Sequence, residues 1–374
     1  MIVFFSNFFN HHQALVASEL YRLTNGKYAF VETMPMPNWI AKSGYPELNE
    51  PYIVKAWKDE ECQKYAFSLS ETADVCVFGG PETIKYAVHR AKVGKISFQV
   101  GERCLKKGWL NILSPRLLAS QWYYYTLFRK HPFYYLCSSA FASHDLSLLK
   151  SYKNKCYKWG YFTQVDENIN AQKRSYKNHV SMMWCARFLD WKHPELPVLL
   201  ASELKRKHYD FHIDMYGSGE HFDKIKQLIS SLKVEDVVML KGNLPNTEIL
   251  KEMSYHDIFL FTSDRQEGWG AVANEAMSQG CILVGSDEIG SVPYLVKDKV
   301  NGVLFRSKSI SSLCDRVIYL LEHRDLWSSI SQNAIQTMQI RWSPKIAARN
   351  LLTLIKDLQS GNDTSIVDGP CSKA

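Results

Sequence analysis

The sequence predicts an α/β fold of two doubly wound parallel-sheet domains facing an interdomain cleft. Short apolar segments of strand length alternate with amphipathic helical stretches along the chain, the pattern of parallel α/β architecture. The alternation stops at residues 164–179, which are polar, charged and without period, and then restarts. At 374 residues the chain is too long for one ordinary doubly wound domain and sufficient for two.

In the first half, strands are expected at residues 2–6, 29–32, 75–78, 95–100 and 133–138, with helical patterns such as 13–23 and 82–92 between them. Residues 164–179 read as a linker. In the second half, strands are expected at 181–186, 211–216, 237–241, 258–262, 281–285 and 302–305, with helices at 194–207, 221–232, 246–255 and 271–279. The segment 309–358 is helical in pattern and breaks at Arg341-Trp342-Ser343-Pro344, where Ser343 is a natural N-cap and Pro344 a natural first helical residue. The expected domains are therefore 1–163, completed by a C-terminal helix at about 343–358, and 180–342, with a disordered tail at 359–374.

Composition narrows the function. Apolar residues make up 46% and charged residues 22%, a globular balance with material for two cores. No apolar run approaches the roughly 18–20 residues that span a bilayer, and residues 1–6 read as a buried strand rather than a signal peptide. The nine cysteines are scattered without a Cys-x-x-Cys pair, which favours free thiols, a reducing compartment such as the cytoplasm, and no structural zinc. The net charge is +7 and its excess lies in the first half. Such a face suits an anionic substrate, lipid or nucleic acid, and no nucleic-acid-binding motif accompanies it.

The most informative segment runs from Ser263 to Gly280. A strand ends at Ser263, a loop carries Glu267-Gly268-Trp269-Gly270, and a helix is expected from Ala271, with Glu275 about one turn inside it and Gly280 closing it. The two glycines let backbone approach a ligand closely. The amides of Trp269, Gly270 and Ala271 at a helix start make an anion site. One carboxylate then flanks each side of a bound diphosphate, where sugar and ribose hydroxyls could donate to it. Singly, each Glu reads as a capping or solvent-facing acid; together with the glycines they point to a site.

Glu267 and Glu275 around Gly-Trp-Gly resemble the E-x7-E motif of the family 4 retaining glycosyltransferases, and the resemblance runs on through 280–285 and 289–294 to Asn301-Gly302. It covers residues 181–358, and more loosely the first half. It implies the GT-B fold of two Rossmann-like domains, with Glu275 on the ribose of a nucleotide-diphosphate sugar donor and Glu267 on the donor sugar. Arg187 and Lys192, after the first strand of the second domain, stand where that family carries an Arg and a Lys to stabilise the departing diphosphate. No Asp-x-Asp stands at a strand end, so cationic side chains would replace a metal and no cofactor is expected. Gly217 and Gly219 end the next strand, as a turn or to let backbone pass the nucleotide. Lys241 begins the loop where the family holds the base.

On the acceptor side, His11 and His12 open the first helix and could donate to a phosphate or an acceptor hydroxyl. Glu102 and Arg103 follow the fourth strand, where relatives carry a His; here Glu102 is a candidate polar group with Arg103 orienting it. Residues 106–130 mix cations with many aromatics, which suits a helix lying on an anionic membrane; the alternative is an aromatic core with a solvated charged face. The expected activity is retaining sugar transfer to a glycan or polyprenyl-linked acceptor in cell-surface polysaccharide synthesis. The competing reading is a non-catalytic nucleotide-sugar-binding or scaffold relative, which would more often have lost the acid and cation pairs.

Overall fold

The computed structural model describes residues 1–37, 48–170 and 179–374. They form two units, Met1–Gln164 with Arg341–Ala374, and Val165–Ile340. Of the predicted linker, residues 171–178 lie outside the described residues. Residues Asp166 and Ile169 go with the second unit, their carbonyls accepting from Gln339 Nε2 at 3.0 and 3.2 Å. Arg341 and Trp342, expected in the second domain, belong to the first, because the buried Trp342 ring stacks on Phe162 at 6.2 Å.

The first unit runs β1 (Ile2–Ser6), α1 (His11–Leu23), β2 (Tyr28–Glu32), β3 (Ile53–Lys55), α2 (Glu60–Thr72), β4 (Val75–Gly79), α3 (Ile84–Ala91), β5 (Ser97–Gly101), α4 (Pro115–Thr126), β6 (Phe133–Cys137), α5 (Ala142–Leu148) and β7 (Cys156–Lys158). All neighbours pair parallel in the order β3-β2-β1-β4-β5-β6-β7. Strands β3 and β7 escape sequence reading because three residues at a sheet edge show no alternation. The core is aromatic: Phe5 stacks on Phe78 at 5.1 Å and Phe128 on Phe133 at 4.5 Å. Arg90 is fully buried and spends its guanidinium on the carbonyls of Ser70, Glu71, Ala73, Asp74 and Ile96, which end α2 and enter β5.

The expected helix over 106–130 is instead a 3₁₀ turn (Trp109–Leu113), then α4, then a second 3₁₀ turn (Phe128–Lys130). Ser114 accepts from Leu117 N at 3.3 Å and Pro115 takes the first helical position, so the helix starts afresh there. Tyr124 and Phe128 join the core, while Trp109 and Trp122 do not.

The predicted disordered tail is a correction. Beyond the last helix the chain returns to the edge strand β7: Cys371 N donates to Lys158 O at 2.7 Å, Lys158 N to Ser372 O at 2.8 Å, and Lys373 bridges Tyr157 antiparallel. Cys371 is fully buried, and Asn350 Nδ2 holds Pro370 O at 2.9 Å. Polar, aperiodic sequence reads as disorder because nothing local holds it. The unpaired edge of β7 supplies the partner, and the tail covers that edge.

The second unit runs β8 (Val180–Cys185), α6 (Glu195–Arg206), β9 (Phe211–Tyr216), α7 (Phe222–Ser231), β10 (Val238–Gly242), α8 (Asn246–Tyr255), β11 (Ile258–Phe261), α9 (Val272–Ser278), β12 (Ile282–Ser286), α10 (Val292–Leu295), β13 (Val303–Phe305), α11 (Ile310–Glu322) and α12 (Trp327–Ile340); α13 (Pro344–Gln359) then packs on α1 of the first unit. The strands are parallel in the order β10-β9-β8-β11-β12-β13. Winding reverses between β8 and β11, and open α/β sheets bind ligands in the crevice beyond the carboxyl ends of such a strand pair.

Candidate active site

The loops that leave β8 and β11 carry the predicted donor residues. Lys192 follows β8, Glu267 follows β11, and their side chains meet in an ion pair, 14% and 13% exposed. Two groups 75 residues apart in the chain are thus in contact at the switch point. Arg187 is exposed on the same loop, and among the described residues no acid pairs with it. Its sequence-near candidate, Asp190, is taken by His221 at 2.9 Å.

Backbone and buried side chains lock these two loops together. Trp184 Nε1 donates to Thr262 Oγ1 at 2.9 Å, Thr262 Oγ1 donates to Lys192 O at 2.7 Å, and Asp264 N donates to Trp191 O at 2.9 Å. His193, in the left-handed region at φ 50°, places its ring between Glu195 at 2.8 Å and the buried Asp264 at 3.4 Å. Lys308 reaches Asp264 at 2.8 Å, and Asp264 Oδ1 accepts from Gln266 N at 2.9 Å. Sequence reading passed over His193 and Asp264; their only signal was adjacency, one residue after Lys192 and three before Glu267.

Charge follows from this packing. Burial alone would lift the Asp264 carboxyl, but His193 and Lys308 outweigh it and hold it well below the carboxylate range. Burial alone would lower His193; its bonds to Asp264 and Glu195 win and raise it to about 9. His193 is therefore a cation at neutral pH. Its folded value lies above the unfolded one of about 6.5, so its contribution is complete below about pH 6.5 and is lost as pH climbs through about 9. Partial exposure screens the pair, which leaves about 1–2 kcal/mol. Thermal unfolding between pH 7 and 10 is expected to cost the wild type several degrees more than His193→Gln; equal losses would assign His193 no such charge.

Glu275 is partly buried on α9 and accepts from Asn246 Nδ2 at 3.0 Å; burial pushes its carboxyl up, the Asn246 bond opposing. The Cys185 thiol, closing β8, is pushed up to about 12 by burial and then by the Glu275 charge, with Lys192 acting the other way. Glu275 and Lys192 therefore both lie within electrostatic reach of the end of β8. The helix begins at Val272, one residue later than expected, and is short. Gly268 and Gly270 carry the turn into it, with Ala271 as N-cap. Gly270 has φ +79°, and a Cβ there would stand 2.3 Å from the Phe261 ring and 3.2 Å from Glu267 Cγ. The Trp269 side chain is wholly buried, its Nε1 donating to Asn274 at 2.9 Å. The indole thus pins the turn between the two carboxylates, leaving only its backbone for a ligand.

Gly217 and Gly219 do more than turn. Their φ values are +128° and +154°, and a Cβ on them would stand 2.0 Å from Ala186 O and 2.6 Å from Phe188 O. They make room for the Arg187 loop itself. Lys241 is drawn along β10 to Asp214 at 3.2 Å, which His256 also approaches at 3.4 Å. Among the described residues, His212, Asp214 and His256 are the one group of three that brings possible metal-ligand atoms within 4.8 Å of one another. His212 and His256 stand at the amino ends of β9 and β11, opposite the Lys192 and Glu267 loops, and Lys241 already supplies Asp214 with a cation.

In the first unit, Arg103 does not orient Glu102, a correction. It forms a buried pair with Asp145 at 3.2 Å and lies over the Phe141 ring at 4.7 Å. Glu102 is held instead by Tyr161 Oη at 2.7 Å and by Lys106. His12 stacks on Tyr161 with centroids 5.5 Å apart, and the His11 ring lies tilted against it at 3.8 Å. Asn10 caps this helix start, accepting from His12 N at 3.0 Å. Burial, then the neighbouring His11, lowers His12 to about 4, and burial lowers His11. Both rings are neutral at pH 7, suited to a hydroxyl rather than to pairing with phosphate. Tyr161, absent from the sequence reading, links His12 to Glu102.

The two windings, with this site on the second, define a GT-B fold. HepE of Anabaena, solved with UDP, matches it with a TM-score of 0.67 at 14% identity over 96% of this chain and 99% of that one. The lipopolysaccharide outer core galactosyltransferase WaaB matches with 0.67 at 14% over 94% and 98%. Residues 165–337 match the glycosyl transferases group 1 family model, a stretch that lies within the second unit. Curated relatives include the poly(glycerol-phosphate) alpha-glucosyltransferase of Bacillus subtilis, 31% identical over 33% of this chain and 18% of that protein. Another is the N-acetyl-alpha-D-glucosaminyl L-malate synthase of Bacillus anthracis, 29% identical over 33% and 32%. The matched parts thus span a third or less of these relatives' length.

Proposed function

We propose that this protein is a retaining glycosyltransferase that moves a sugar from a nucleotide-diphosphate donor to a hydroxyl of a glycan or lipid-linked acceptor, in cell-surface polysaccharide synthesis and without a metal. The observation that carries the reading is the Lys192–Glu267 pair at the switch point of a group 1 domain, with the exposed Arg187 on the same loop. A diphosphate oxygen reaching Lys192 competes for its ammonium and frees Glu267 to accept from sugar hydroxyls. Arg187 adds a forked donor for the same anion. Glu275, with its carboxyl raised by burial, suits hydrogen bonds from ribose hydroxyls. In the reaction the bond from the anomeric carbon to the diphosphate breaks, the acceptor oxygen bonds that carbon on the same face, and the departing phosphate oxygen takes the acceptor proton. Preorganised positive charge at the leaving group supplies the main stabilisation. Acceptor binding is assigned to the first unit, where neutral His12 and the Tyr161–Glu102 pair offer hydroxyl-binding groups.

The test is a panel of UDP-, GDP- and ADP-sugars screened by thermal shift, since a bound donor raises the midpoint by mass action. NMR of the product from the donor that binds then reads the configuration. Retention of the anomeric configuration, with transfer undiminished in EDTA, is expected. An inverted product refutes the retaining mechanism, loss of activity in EDTA refutes metal independence, and donor binding without hydrolysis or transfer assigns the protein a non-catalytic role.

A further inference from the structure

The segment between Glu102 and α5 carries an exposed surface that glycosyl transfer does not account for. Trp109, Leu110 and Leu113 of the 3₁₀ turn are 64%, 84% and 72% exposed, and Leu118 and Trp122 of α4 are 51% and 61% exposed. These five lie within one short stretch of chain, among fourteen exposed large hydrophobic residues in all the described residues. A surface helix normally turns polar residues outward. On α4 the outward positions four apart are Leu118 and Trp122, while Leu117 and Tyr124 face the core.

Charge sets the occupant. Lys107, Arg116, Arg129 and Lys130 are exposed in the same segment. No Asp or Glu occurs from residue 103 to residue 144, and the flanking acids are already bound, Glu102 by Lys106 and Asp145 by Arg103. A two-fold contact between copies would set these cations against each other. Single-stranded nucleic acid would use the aromatic rings but give the leucines nothing to stack on. A membrane matches both halves: tryptophan rings and leucines enter the headgroup and acyl boundary, and the cations meet lipid phosphates. No helix among the described residues is long and apolar enough to cross a membrane, so the contact is peripheral.

We infer that the surface formed by Trp109–Leu113 and the outward face of α4 docks this protein onto an anionic lipid bilayer. The inference does not depend on the catalytic reading, because docking is measured without turnover. The full-length protein is floated with vesicles of phosphatidylcholine, with and without phosphatidylglycerol. Flotation with the anionic vesicles is expected, weakened by raised salt, and accompanied by a blue shift of tryptophan emission in the wild type. Lys107→Glu with Arg116→Glu removes two surface cations, each worth about fivefold in affinity, and should weaken anionic binding about 25-fold or more. Leu110→Ser with Leu113→Ser should weaken it about 100-fold. Both pairs are exposed, so the unfolding midpoint should match that of the wild type. The inference is overturned by failure of the wild type to float with anionic vesicles, or by the serine variant floating equally well. Light scattering that shows a dimer lost in the serine variant, or binding of single-stranded nucleic acid lost in the same variant without flotation, would overturn it too, by assigning the surface another occupant.

Discussion

On the proposed mechanism, sugar transfer is expected to fall by about 10²–10³-fold when Lys192 is replaced by methionine, because a cation aimed at the developing charge of the leaving group would be removed from a site that water reaches poorly. Glu267→Gln should lose activity to a comparable extent through misplacement of the donor sugar. The pair allows a sharper test than either single change. Lys192→Met leaves a carboxylate only 13% exposed without its cation, so it should lower stability. Adding Glu267→Gln removes that stranded charge and should return stability toward the wild type while activity stays lost. Rates from transfer assays and midpoints from calorimetry read the two arms separately. If activity recovers in the double variant along with stability, the ion pair is a structural brace and the proposed chemistry at Lys192 is wrong.

Gly217→Ala is expected to have the largest effect on stability. The position combines φ +128° with a Cβ that would stand 2.0 Å from a main-chain oxygen, Ala186 O, and no flexible side chain can yield there. Strain and displacement together should cost about 3 kcal/mol or more, near 10 °C in the midpoint of a unit this size. The loop that must move carries Arg187, so donor affinity should fall about tenfold even in the folded fraction. Gly242 gives the control. Its φ is +72°, but a Cβ there meets nothing within 4 Å, and Gly242→Ala should cost only about 1 kcal/mol of backbone strain. Equal midpoints for the two variants would show that the Ala186 loop gives way without cost.

Much of this was legible in the order of residues. The β8 strand and the loop after it announced themselves by an apolar run ending in Arg187 and Lys192, and Glu267, Gly268, Gly270 and Glu275 by their spacing around a helix start. The start of the final helix was also readable, because Ser343-Pro344 is a start signal that needs only neighbours in the chain. Other readings depended on contacts that neighbours in the chain do not show. The tail looked disordered because its partner, the edge of β7, is some two hundred residues away in sequence. Arg103 looked like a partner for Glu102 because they are adjacent, yet it pairs with the buried Asp145, 42 residues further along the chain. Gly217 and Gly219 read equally as a turn or as room for the nucleotide, and the close neighbour that sequence could not show is the Ala186–Phe188 loop from another strand.

The sequence by itself determined the parallel α/β architecture, the two-unit organisation and the identity of the donor-site candidates, since periodicity, capping and motif spacing are properties of neighbours along the chain. Only the tertiary structure decided that Lys192 and Glu267 touch, that His193 and Asp264 brace their loops, that Trp269 is a buried pin rather than a ligand-facing ring, and that Trp109 and Trp122 stay outside the core. Each of these is settled by burial and by contacts between residues distant in sequence, whose energies depend on how the sheets wind and which strand ends meet.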